Sequence, residues 1–96
     1  MTEIAVVAIL VAKPGTEAQL RQALEGIVAP TRKEPGVVQY DLHYDLREPR
    51  RFVFFERWES EAALAAHGQS AHIAAYRQAS AEWIEQTEMR VLAKII

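Results

Sequence analysis

The chain predicts an α+β fold, a four-stranded antiparallel sheet with helices on one side, in the order β-α-β-β-α-β. Three observations lead there. Ile4–Val11 is an unbroken apolar run rich in β-branched residues, as in a strand buried on both faces. Residues 38–46 and 52–58 read as two strands joined by a short polar turn. Helical spacing follows the first strand and again follows the third.

Each element has its own local reasons. Pro14-Gly15 stops the first strand, and Thr16 with Gln19 forms a capping-box pattern. Leu20, Ala23, Leu24, Ile27, Val28 and Thr31 then recur at helical spacing. Pro30 cannot donate to the carbonyl of Gly26, so a kink or a loosened last turn is expected there, and Glu34-Pro35-Gly36 ends the helix. Val38, Tyr40, Leu42, Tyr44 and Leu46 alternate with polar residues and predict a strand with one apolar face. Arg47–Arg51 is the turn, and Phe52–Trp58 the next strand. Pairing Leu46 with Phe52 sets Leu42 opposite Glu56, Tyr40 opposite Trp58 and Asp41 opposite Arg57, a register the opposite charges favour. It puts Glu56 and Trp58 on the face of Tyr40 and Tyr44. Ser60 caps a short helix with Leu64 and His67 on one side, and Gly68 interrupts it. Ser70 starts a second helix with an apolar stripe of Ile73, Tyr76, Ser80, Trp83 and Ile84, and Met89–Ile96 is the final strand.

The bulk numbers bound the function. Ninety-six residues make one domain, 1–96, with a core too small to hide more than about 65% of the unfolded surface. The sheet face away from the helices is apolar at Val53 and Phe55, and a homodimer packed through that open face is the expected remedy. A formal net charge of −2 offers no basic field for nucleic acid or anionic membranes. The longest apolar run falls short of the ~20 residues that span a bilayer, and the start lacks a signal peptide's basic residues. With no cysteine, the chain reads as cytoplasmic.

The ordered set Glu34–Tyr40, Phe52–Trp58, Ala63–His67 and His72 resembles the antibiotic biosynthesis monooxygenase (ABM) domain family, over the whole chain and most closely its small bacterial quinol monooxygenase-like members. The resemblance implies a ferredoxin-like dimeric α+β barrel with a substrate pocket between sheet and helices in each subunit. It further implies oxidation of phenols or quinols by dioxygen with no metal, flavin or haem. Haem-degrading relatives carry an Asn, a Trp and a haem-ligating His where this chain has Ala8, His67 and Arg77, so the resemblance does not extend to haem degradation.

The chemistry-bearing residues gather around the third strand. His67, whose type titrates near neutrality, is the expected general base. Glu56 is the expected partner that orients it, since a carboxylate fixes an imidazole tautomer. The competing reading makes Glu56 a structural ion pair or helix cap, and His67 a helix-terminal residue bonded to Glu56 or a backbone carbonyl. Trp58, Tyr40, Phe54 and Tyr76 are candidates to line an aromatic slot, with His72 at its border; core packing is the bland alternative for the aromatics and a solvated helix position for His72. Trp83 reads as packing and His43 as surface or dimer contact. No metal is expected: His67 and His72 are five apart rather than four, and no carboxylate pair lies nearby. No phosphate loop, flavin or nicotinamide fingerprint, or serine elbow is present. The expected partners are a small aromatic substrate and dioxygen. Two other functions fit the same residues: a proton-transfer isomerase, and a non-catalytic dimeric module that binds a small molecule.

Overall fold

The computed structural model describes residues 2–96. Its elements are β1 (Ile4–Ala12), α1 (Glu17–Gly26), α2 (Val28–Thr31), β2 (Val37–Tyr44), β3 (Arg51–Trp58), α3 (Glu61–Gly68), α4 (Ala71–Ser80) and β4 (Ile84–Ala93). The sheet order is β2-β3-β1-β4, antiparallel throughout, so each β-α-β half places its helices over one face in the ferredoxin-like arrangement.

β1 lies between β3 and β4, which is why its apolar run is continuous. Ile4, Val6, Ala8 and Leu10 turn toward the helices and join Leu20, Leu24, Ile27, Tyr40, Phe52, Phe54, Trp58 and Ile73 in the core. Ala5, Val7 and Ile9 point to the opposite face, beside Phe55 and Leu92, which are 46% and 45% exposed. That face carries the apolar character the sequence assigned to it.

Four local features depart from the sequence reading. The first helix does not kink at Pro30 but breaks at Ile27, three residues earlier. The proline ring cannot sit beside the carbonyl one turn back, which belongs to Gly26, so the helix ends there and a separate turn begins. Thr16 makes no capping bond; its hydroxyl reaches Lys13 O at 2.8 Å and Trp83 O at 3.0 Å and ties the start of α1 to the entry of β4.

The β2–β3 register is offset by two residues from the predicted one: Tyr44 faces Phe52, Leu42 faces Phe54 and Tyr40 faces Glu56. An even offset preserves the faces, so Tyr40, Glu56 and Trp58 still point the same way. The Asp41–Arg57 pair is not formed. Asp41 instead accepts from Arg32 at 2.9 Å, and Arg57 grips Glu3 with two bonds. A bulge between Val37 and Gln39 absorbs one residue and turns Val38 outward.

Lastly, β4 starts at Ile84 rather than Met89, because it pairs with β1 along that strand's whole length. As an edge strand with Gln86, Glu88, Arg90 and Leu92 on its outer face, it shows no clean alternation in sequence.

Candidate active site

His67 and His72 converge on one carboxylate oxygen. Glu34 Oε2 lies 2.7 Å from His67 Nδ1 and 2.9 Å from His72 Nε2, and all three side chains are largely buried. Local structure holds each of them. Glu34 follows α2, with its amide on Thr31 O at 3.0 Å, and Gly36 turns the chain into β2 with φ +87°. His67 lies in the last turn of α3, whose start is capped by the Ser60 hydroxyl accepting from the Ala63 amide at 3.1 Å. His72 lies in the first turn of α4, where its Nε2 is also 3.1 Å from Thr31 Oγ1 and 3.4 Å from Ser70 Oγ.

A carboxylate only accepts hydrogen bonds, so the imidazole nitrogens facing Glu34 carry the protons. In the neutral imidazole that assignment puts the free lone pair of His67 on Nε2, where it can accept. The His67 ring packs between aromatic walls, its centroid 4.8 Å from the Trp58 ring and 5.4 Å from Tyr40.

The ring also lines a cavity of about 530 Å³ between the sheet and the helices. Ala8, Leu10 and Phe54 form its floor, Ile27, Leu64, Ile73 and Tyr76 its helical side, and Thr87, Met89 and Val91 of β4 its open flank. Polar groups are few: Tyr40, Glu56, His67, Tyr76 and Thr87, with Glu61 and Arg77 exposed on the helical rim. Such a cavity suits a small, flat, mostly apolar molecule held by few polar contacts.

Glu56 does not contact His67 as the sequence reading expected. Its Oε1 accepts the indole N–H of Trp58 at 2.9 Å, two residues further along the same face of β3. The predicted catalytic pairing is therefore corrected: Glu34 is the carboxylate on His67. Burial raises the Glu56 pKa above the ordinary carboxylate range, against the lowering effects of the Trp58 bond and the nearby His67. Tyr40 is likewise raised, first by burial and then by the charge of Glu56.

Of the predicted aromatic slot, Tyr40, Phe54 and Tyr76 line the cavity, with Tyr40 and Phe54 stacked at 4.6 Å. Trp58 does not; it is fully buried and backs both His67 and Glu56. His72 is neither at the cavity border nor a solvated helix residue, since Glu34 holds it behind His67. Sequence reasoning missed Glu34 as a site residue. It lies 33 positions from His67, inside a segment legible only as a helix stop, so spacing carried no signal.

The three ligand-type atoms lie within 4.8 Å of one another, so Glu34, His67 and His72 are also the residues that could hold a small divalent cation. The sequence shows only the lack of a carboxylate pair nearby; it gives no sign of the one carboxylate, Glu34, that the fold sets against both histidines. The separations of 2.7 and 2.9 Å also fit N–H···O bonds from both imidazoles to one oxygen.

Residues 3–79 match the family described as antibiotic biosynthesis monooxygenase. A relative from Mycobacterium tuberculosis named "Putative monooxygenase Rv0793" is 38% identical over 74 residues, covering 77% of this chain and 72% of the relative. Its solved structure superimposes with a TM-score of 0.92 at 32% identity, over 99% of this chain and 97% of that one. The crystal structure of PA3566 from Pseudomonas aeruginosa is similar with a TM-score of 0.96 and 29% identity, over 100% and 97% of the two chains.

Proposed function

The chain belongs to the antibiotic biosynthesis monooxygenase family, and from that premise we propose that it oxidises a small phenol or quinol with dioxygen, without a cofactor. The observation that carries this reading is the His67 ring in the wall of an apolar cavity, with Glu34 on its far nitrogen.

In the proposed reaction His67 Nε2 takes the proton of a substrate hydroxyl, and Glu34 stabilises the imidazolium that forms. The phenolate passes one electron to dioxygen. The radical pair combines at an unsubstituted ring carbon ortho or para to that oxygen, forming a C–O bond to a hydroperoxide. The ring C–H proton leaves as the O–O bond breaks, and a quinone and water result. One dioxygen is consumed per ring, one of its atoms enters the product and the other leaves as water. The proton taken by His67 returns to the peroxide, so the cycle needs no outside acid. Glu56, with its raised pKa, serves as a buried polar group against the substrate, while Tyr40, Phe54 and Tyr76 provide the aromatic walls.

Homodimerisation through the open sheet face belongs to the same proposal. Phe55 and Leu92 are half exposed there, next to Val7 and Ile9, and a second copy of that apolar face would cover them. Single-domain behaviour of residues 1–96 is part of it as well.

The test is an oxygen-electrode trace with a panel of quinols, supported by labelled dioxygen. One labelled atom in the quinone product is the expected result. A trace no steeper than autoxidation across the panel removes the monooxygenase and leaves the non-catalytic binding module and the isomerase, for which the same His67–Glu34 pair would move a proton.

A further inference from the structure

Arg77 stands out among the charged residues of the cavity. Arg21, Arg32, Arg50, Arg51, Arg57 and Arg90 are each ion-paired to a carboxylate. Among the described residues, Arg47 in the β2–β3 loop and Arg77 are the arginines without such a partner. Arg77 is also the one Lys or Arg among the described residues that line the cavity.

Its placement is specific. Arg77 Nη1 donates to the carbonyl of Gly68 at 3.0 Å. Gly68 ends α3, and the terminal carbonyls of a helix favour a cation. The bond holds the guanidinium at the cavity rim, and among the described residues no carboxylate takes its remaining N–H donors. His67 immediately precedes Gly68, so the cation sits at the same end of α3 as the imidazole. Glu61, also lining the cavity, begins α3, about 10 Å away along the helix axis. The rim is thus polarised, positive near His67 and negative at the far end.

We propose that Arg77 is a specificity-determining residue and that the substrate is a phenol or quinol bearing an acidic substituent. The acidic group takes the fork of Arg77, Glu61 repels it from the opposite end, and the phenolic ring enters the apolar cavity with its hydroxyl toward His67. A planar guanidinium matches a carboxylate with two parallel N–H···O bonds, which fixes the in-plane orientation of the ring as well as its charge. This deepens the reading above and rests on it for the reaction, but not for the binding.

The experiment is therefore an equilibrium one. Isothermal titration at neutral pH and low salt compares 2,5-dihydroxybenzoate with 2,5-dihydroxybenzamide, which differ in charge and scarcely in shape. The acid is expected to bind about tenfold more tightly, a discounted figure for a charge-assisted contact at an exposed rim. In Arg77→Gln the two probes should bind within about twofold of each other, with the amide unchanged, which also reports that the cavity is intact. Arg77→Lys should keep part of the preference, and raised salt should shrink it in the unaltered protein. Equal affinities of the two probes for the unaltered protein, or a preference that survives in Arg77→Gln, overturn the assignment of Arg77 and leave the monooxygenase standing. Binding of neither probe also overturns the assignment of Arg77, while oxygen uptake across the quinol panel decides the monooxygenase separately.

Discussion

Glu34 and His67, 33 positions apart in sequence, meet at 2.7 Å, and the same carboxylate oxygen holds His72 at 2.9 Å. One acidic residue after α2 thereby clamps the end of α3 to the start of α4, and the clamp sits directly behind the ring that lines the cavity. The first consequence concerns turnover and stability together. His67→Gln should lower kcat by roughly 10²–10⁴, the usual contribution of a general base, with a smaller loss of stability than Glu34→Ala because the amide N–H can still reach Glu34. Glu34→Ala should lose activity and also about 1–3 kcal/mol of stability, because two buried N–H groups lose their acceptor. Steady-state kinetics and denaturant unfolding separate the two effects.

Chelation discriminates between protons and a metal at this cluster. With Glu34 bridging two protonated nitrogens, dialysis against EDTA should leave oxygen uptake unchanged. Loss of activity on dialysis, restored by a divalent cation, would replace the hydrogen-bonded reading by a two-histidine, one-carboxylate metal centre.

Glu56 makes stability depend on pH in a defined direction. Burial raises its pKa in the folded state above the value of the unfolded chain, so between those two values the folded state binds the extra proton. The contribution is therefore full below the unfolded pKa and is lost as pH rises through the folded one. Scanning calorimetry from acid upward should show Glu56→Gln becoming progressively more stable relative to the unaltered protein. Parallel curves for the two proteins would contradict this.

Trp58→Phe should keep most of the aromatic packing but leave Glu56 Oε1 without its indole donor. A cost of about 1–3 kcal/mol is expected from the orphaned buried oxygen, measurable by urea unfolding. Adding Glu56→Gln should recover part of it, since a neutral amide is cheaper to bury unpaired than a carboxylate.

The turn that carries Glu34 into β2 depends on Gly36. Its φ is +87°, and a Cβ there would stand 2.6 Å from the Cβ of Ala63 in α3. Gly36→Ala should cost more than the ~1 kcal/mol expected of left-handed backbone alone, because a helix must move away. Gly15→Ala is the control: its φ is +86° but nothing lies within 4 Å, so only the backbone cost should appear. Equal losses in the two variants, by thermal or urea unfolding, would remove the steric argument.

Much of the fold was legible because its signals are local. The period of Tyr40 and Leu42, the unbroken run of β1 and the Ser60 cap each depend on residues within a few positions. The register of β2 on β3 was not legible, since Asp41 found its cation outside the strand pair, in Arg32, rather than in Arg57 across from it. Face assignment survived the error because strand geometry repeats every two residues.

What the sequence determined by itself was therefore the order of elements, the side of β3 that carries Phe54, Glu56 and Trp58, and the inward aim of His67. Periodicity acts over a handful of residues and writes those features directly. Only the tertiary structure decided which carboxylate serves His67. Glu56 and Glu34 are equivalent in composition, but one is turned toward an indole two residues away and the other is swung beneath two helix ends by the Gly36 turn. Partners chosen across tens of residues depend on how the helices dock on the sheet, and docking leaves no periodic mark in the chain.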